Sequence, residues 1–400
     1  MTRFTHSARG EGTVTTVGVR CTVYDAVRPF FFVGACYAAL GIALWLPLFE
    51  GEIAVPSEFA PRDWHIHEML FGYIAAVITG FLLTAIPNWT GRLPLQGLPL
   101  LGLLIVWLAG RAVVCWSAYT GWIFAAIIDC AFLVLVVAAA AREIVAGRNW
   151  RNLRVLVPLG VLALANIAFH LEAHFYGFAV FATRAGIVAI LILIMLIGGR
   201  IIPSFTHNWL VRENPGRLPI SFGQFDAMAI ALGAIGLLAW IIIPDHRITG
   251  AVLALAAVLQ LVRLGRWAGE RTLGNRLVLV MHVAYAFVPL GLALASLAAF
   301  ELVPQSAGIH AWMAGAAGTM TLAVMTRASL GHTGQALAAG AGTQIIYAAV
   351  VFAALARIAA ALFPTWMLGL IHAAALGWII AFGGFAALYG PSLFRARRSG

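Results

Sequence analysis

Apolar runs of roughly 20 residues, long enough to cross a bilayer as a helix, recur along the whole chain between short polar stretches. The chain has 400 residues, of which 62% are hydrophobic and 10% charged, too apolar a composition for a water-soluble fold. The pattern therefore predicts an all-α polytopic membrane protein with about 12 transmembrane helices. The predicted spans are 28–48, 66–86, 98–118, 121–141, 153–175, 181–201, 222–243, 248–265, 276–299, 308–328, 338–362 and 365–389.

The distribution of arginine predicts the orientation of these helices. All 25 basic residues are arginines. With a cytoplasmic N-terminus, 20 of them lie on the cytoplasmic side, and only Arg62, Arg184 and Arg247 lie in opposite loops. The positive-inside rule then places both termini in the cytoplasm. The net charge of +10 follows from this asymmetry and does not indicate nucleic-acid binding.

The ends of the chain differ from its apolar centre. Residues 1–27 are polar and lack an apolar signal-peptide core, so they are interpreted as a cytoplasmic N-terminal arm. Residues 28–390 form a single transmembrane domain, and 391–400 a basic cytoplasmic tail. The four cysteines form no CxxC or CxxCH pattern, so neither structural disulfides nor covalently attached haem are expected.

Short motifs recur at intervals that suggest an internal repeat. Asn-Trp pairs follow helix two at 88–89 and helix six at 208–209, a separation of 120 residues. His310 in helix ten lies 243 residues after His67 in helix two. These echoes predict three four-helix units in which helices two, six and ten are equivalent. The alternative is that such motifs are ordinary chemistry at membrane exits.

Six of the eleven histidines are predicted at one level, near the periplasmic ends of their helices. An imidazole is costly in hydrocarbon and is a common ligand of copper, iron and haem iron, so this layer predicts a metal or haem site. The alternative for each one is a hydrogen-bonded residue at the membrane interface. The six are His65, His67, His170, His174, His310 and His372.

Three charged residues accompany this layer. Glu68 is expected at the water edge of helix two, as a proton carrier and partner of an imidazole, or simply as an acid favouring the helix dipole. Arg111 and Asp129 flank the turn between helices three and four and are expected to form a structural ion pair. A haem-propionate contact is the alternative role for Arg111.

Four segments of the chain together resemble the NnrS family. They are WHIHEMLFG at 64–72, GFLLTAIPNWTG at 80–91, GRIIPSFT at 199–206 and LAVMTRASLGHTG at 322–334. The resemblance implies a bacterial inner-membrane protein of twelve helices that contains haem and copper and is linked to denitrification and nitric-oxide resistance. The family is similar in helix number and metal content to haem–copper oxidases, which are built as three four-helix arcs. The histidine patterns of oxidase helices six, seven and ten are absent here.

The ligands are assigned by depth and by helix. Two residues apart, His65 and His67 point in different directions on a regular helix and share a centre only if His65 precedes it. We expect haem b, non-covalently held, to be ligated by a pair among His67, His310 and His372. Copper is then expected at His65 with His170 and His174.

Three functions follow from this interpretation. The first is reduction of nitric oxide to nitrous oxide, with Glu68 delivering protons and a quinol or periplasmic donor supplying electrons. The second is a non-catalytic protein that binds nitric oxide or handles haem or copper. The third is a solute transporter, for which the histidine layer has no evident use.

Overall fold

The computed structural model describes residues 27–394, which contain twelve long helices and no strand. Residues 1–26 of the predicted arm and 395–400 of the predicted tail lie outside these residues. The helices are numbered α1–α12 in chain order: Val27–Phe49, Pro61–Thr90, Leu98–Cys115, Trp122–Ala146, Leu153–Tyr176, Phe181–Glu213, Gln224–Ile242, Arg247–Gly265, Arg276–Ala299, 305–332, Ala341–Leu362 and Met367–Phe394.

Eleven of these helices are long and apolar enough to cross a membrane, which confirms the all-α polytopic fold. The remaining one, α10, is 28 residues long but rich in alanine, glycine and threonine. Small side chains of this kind allow close helix packing, and much of α10 is buried. The two largest extensions beyond the predicted spans are in α2, which begins at Pro61 instead of 66, and in α6, which continues to Glu213 instead of ending at 201.

Helices α2, α6 and α10 each contain a π-helical segment, at Glu68–Ile74, Ile194–Gly198 and Ala311–Gly318. The first and third of these begin 243 residues apart, the same displacement that separates His67 from His310. A π segment is a rare local structure, so its recurrence in these three helices supports the predicted equivalence of helices two, six and ten.

Neighbouring helices in the chain pack against each other, and α12 packs against α1 to close the arrangement. The central helices α2, α6 and α10 meet around an apolar cavity. The first two π segments each have a backbone carbonyl that accepts a hydrogen bond from another helix. Trp107 on α3 donates its indole N–H to the Gly72 carbonyl (3.0 Å), and Arg263 on α8 donates to the Met195 carbonyl (3.2 Å).

Candidate metal centre

Helices α2 to α5 enclose a cluster of buried polar side chains. His67 is the last residue before the π segment of α2 and Glu68 is its first residue. Arg111 comes from α3 and Asp129 from α4, while Asn166 and His170 lie one turn apart on α5. All six are buried, with exposed fractions from 0% for His67 and Glu68 to 7% for Arg111.

Asp129 is the centre of this cluster. Its Oδ2 lies 3.2 Å from His67 Nε2 and 3.0 Å from His170 Nε2, and it accepts a hydrogen bond from Asn166 Nδ2 at 2.8 Å. His67, Asp129 and His170 each offer a ligand atom within 4.8 Å of the other two. Two imidazoles and a carboxylate form a donor set that suits copper or iron, so the three side chains fit a bound metal ion.

Arg111 connects the two carboxylates of the cluster. Its Nη1 lies 2.7 Å from both oxygens of Glu68, and its Nη2 pairs with Asp129. This confirms the predicted ion pair with Asp129 and engages both terminal nitrogens of Arg111 within the cluster. The guanidinium comes this close because residue 72 is glycine: a Cβ there would lie 2.8 Å from Arg111 Nη1.

The charges of the cluster do not balance if both histidines are neutral. Glu68 and Asp129 carry two negative charges, whereas Arg111 supplies one positive charge. Unbalanced charge is costly within a membrane bundle, so the cluster favours one more positive charge. A proton on an imidazole or a bound metal cation meets this requirement.

Glu68 is fully buried instead of lying at the water edge, which corrects the sequence-based expectation. The reason is that α2 starts five residues earlier than predicted, so Glu68 lies two turns inside the helix. Its Oε1 is 2.8 Å from His67 Nδ1, and its Oε2 accepts a hydrogen bond from the Tyr37 hydroxyl on α1. Glu68 thus links a tyrosine to a candidate metal ligand.

Aromatic side chains surround the two histidines. The rings of Phe59, Phe71 and Phe169 lie 4.9 to 5.3 Å from the His67 ring, and Phe59 lies 5.1 Å from His170. All three phenylalanines are at most 9% exposed. The candidate centre is therefore enclosed by apolar rings.

His65 belongs to a different group, as expected for two residues that point apart on one helix. It lies near His310 on α10 and Arg357 on α11. Its ring lies 4.4 Å from Trp45, and its buried Nδ1 has no hydrogen-bond partner. His310 Nδ1 lies 2.6 Å from the Ser306 carbonyl, an arrangement that leaves Nε2 available as a ligand.

The structure groups the histidines differently from the sequence-based assignment. His67 lies with His170, whereas His310 lies with His65. His174 is exposed and stacks on Trp122 at 4.2 Å, outside the cluster. His372 is exposed and lies 3.1 Å from Glu50.

Asn166 of the cluster and Tyr37, which donates to Glu68, were not predicted from the sequence. Asn166 lies four residues before His170 and therefore on the same helix face, a spacing that could have identified it. Tyr37 lies within an ordinary apolar run of α1 and carries no comparable signal.

Comparison with known families identifies the group to which this architecture belongs. The family model described as NnrS protein matches residues 25–397. The chain belongs to the NnrS family. The match covers all twelve helices, including every residue of the candidate metal centre. The comparison with curated proteins gives no match.

Proposed function

We propose that this NnrS-family protein binds copper and haem b and reduces nitric oxide to nitrous oxide. The observation that carries the proposal is the buried His67–Asp129–His170 set, with its fit to a metal ion and its need for positive charge. We assign copper to these three side chains. Bound copper would supply an open coordination position, and haem iron would supply the electron transfer that the reaction requires.

The second group of histidines fits haem. The imidazole of His310 can bind a metal ion through a nitrogen lone pair, whereas the guanidinium of Arg357 pairs with an anion. No acidic side chain pairs with Arg357 among residues 28–394, so a bare metal cation would be repelled there. Haem carries both an iron and carboxylate propionates, so we assign His65 and His310 as its ligands and Arg357 as the propionate partner.

The remaining side chains of the cluster support proton delivery. Coupling two nitric oxide molecules to nitrous oxide and water consumes two protons and two electrons. The hydrogen bonds from Tyr37 to Glu68 and between Glu68 and His67 connect α1 to the metal ligands. We assign Glu68 to hold and pass protons along this line, with a quinol or a periplasmic donor as the source of electrons. The enclosed site suits nitric oxide because this substrate is small and apolar.

The test is anaerobic turnover of the purified, reduced protein with nitric oxide, scored for nitrous oxide. His170→Ala should abolish turnover, whereas His174→Ala, one turn away on α5, should retain it. Uptake of nitric oxide without nitrous oxide would overturn catalysis and favour the non-catalytic binding function. Stoichiometric zinc in place of iron and copper would overturn both redox assignments.

A further inference from the structure

The three central helices line an apolar cavity with a volume of about 80 Å³. Its lining comes from α2, α6 and α10, including Ile74, Ile190 and Ala317 toward one end and Phe81, Ile201 and Val324 toward the other. The hydroxyl of Thr321, which also lines the cavity, bonds to Tyr73 and to the Gly318 carbonyl. The lining therefore offers almost no free polar atom.

A cavity of this kind disfavours water and favours small apolar molecules. A buried water needs two to four polar partners, and a cavity lined by aliphatic side chains stays dry and accepts xenon or benzene. The lining residues Phe81, Ile201 and Val324 are only partly buried, so the cavity opens at their end of the bundle.

At the other end of the cavity, Phe71 is near both the helices that line the cavity and the candidate metal centre. Phe71 lies in the same π segment as Ile74, and its ring is 5.3 Å from the His67 ring and 5.7 Å from Phe169. Gly186, one turn before Ile190 on α6, faces this ring: a Cβ there would lie 3.2 Å from Phe71 Cζ. The absence of a side chain at Gly186 leaves room for the Phe71 ring.

We propose that this cavity is a binding site for small apolar gas molecules, from which nitric oxide reaches the His67 centre past Phe71. The proposal of a gas site depends only on the cavity. The proposed route of nitric oxide also depends on the proposed function. The cavity lies among the three helices that carry the π segments, so the packing of α2, α6 and α10 determines its shape.

Xenon is the probe for the site, because it binds apolar cavities without any metal. Saturable xenon binding, followed by ¹²⁹Xe NMR of the detergent-solubilised protein, is expected for the parent chain. Ala317→Leu and Val324→Phe fill the cavity from two positions and should weaken xenon binding by at least about tenfold. Val161→Phe adds the same bulk as Val324→Phe at an exposed position of α5 and should leave binding unchanged.

The route is tested by the rate at which nitric oxide recombines with the reduced, metal-loaded protein after photolysis. In Ala317→Leu and Val324→Phe, nitric oxide should recombine more slowly while the metal content is unchanged. In Val161→Phe, the recombination rate should equal that of the parent chain. Xenon binding that persists in both filled variants, or a lipid chain that copurifies in the cavity and excludes xenon, would overturn the gas site. Lost xenon binding with unchanged recombination rates would overturn the route alone. A protein without metal that still binds xenon would overturn the proposed function and leave the gas site standing.

Discussion

His67 and Glu68 are neighbours in sequence and hydrogen-bond to each other, Nδ1 to Oε1 at 2.8 Å, at the residue where α2 passes from α- to π-helical geometry. His67 uses its other ring nitrogen to reach Asp129, while Glu68 binds Arg111. One peptide unit therefore supplies both a candidate metal ligand and the group that orients it.

Removing a candidate copper ligand should remove copper selectively. His67→Ala, His170→Ala and Asp129→Asn each delete or neutralise one donor of the set, so each purified variant should contain little copper. Haem content should change little, because His65 and His310 are separate from this set. Elemental analysis and a pyridine haemochrome assay measure the two quantities. Parallel loss of copper in His174→Ala, whose ring stacks on Trp122, would contradict the assignment.

Removing a candidate haem ligand should change or remove the haem and leave copper bound. His310→Ala should lose or shift the haem absorption spectrum, and His65→Ala should change its spin state, while copper stays bound. Arg357→Gln should weaken haem retention without altering the ligands. His372→Ala serves as the control, because that side chain is exposed beside Glu50. Haem that survives both His65→Ala and His310→Ala would return the assignment to His67 or His372.

Glu68→Gln should separate proton delivery from metal binding. The amide keeps the size of the side chain and can still bond to Tyr37 and Arg111, but it cannot carry a proton from Tyr37 to His67. Turnover should fall, while copper remains bound with an affinity lowered by about 10- to 100-fold, the usual effect of losing a group that orients a ligand. Turnover at the parent rate in this variant would exclude Glu68 as the proton carrier.

Gly72→Ala should destabilise the protein by about 1–3 kcal/mol, because the added methyl group meets Arg111 and Tyr37 in a tightly packed interior. Thermal unfolding in detergent, compared at equal metal content, measures the effect. Gly102→Ala on α3 is the matched control, since a Cβ at that position meets no atom within 4 Å. Equal midpoints for the two variants would show that the interior at residue 72 adjusts without cost.

The orientation of the chain in the membrane is open to a direct test. Reporter fusions after Gly400 and within 50–60 should lie on opposite sides, with the C-terminus cytoplasmic, because twenty arginines lie on the side assigned to the cytoplasm. Fusions that report the same side would contradict the twelve-span topology. A periplasmic C-terminus would place the six histidines of the layer near the cytoplasmic side of the membrane instead of the periplasmic side.

The sequence predicted the helices well because roughly 20-residue apolar runs are set by bilayer thickness and do not depend on packing. It also predicted the Arg111–Asp129 pair, since both residues flank one short turn at matched depth. The grouping of the histidines could not be predicted in the same way. His170 contacts His67, and His310 lies near His65, because of which helices pack together. Helical periodicity does not contain that information.

The π segment of α2 also fixes the angular phase between the two halves of the helix. Each residue of an α-helix turns the chain by about 100°. Deleting one residue from Glu68–Ile74 would therefore favour a regular α-helix while rotating the half that bears His67 relative to the half that ends at Thr90. The length of the Glu68–Ile74 segment therefore determines the direction in which His67 points toward Asp129. This segment follows His67 in the chain and itself contributes no metal ligand.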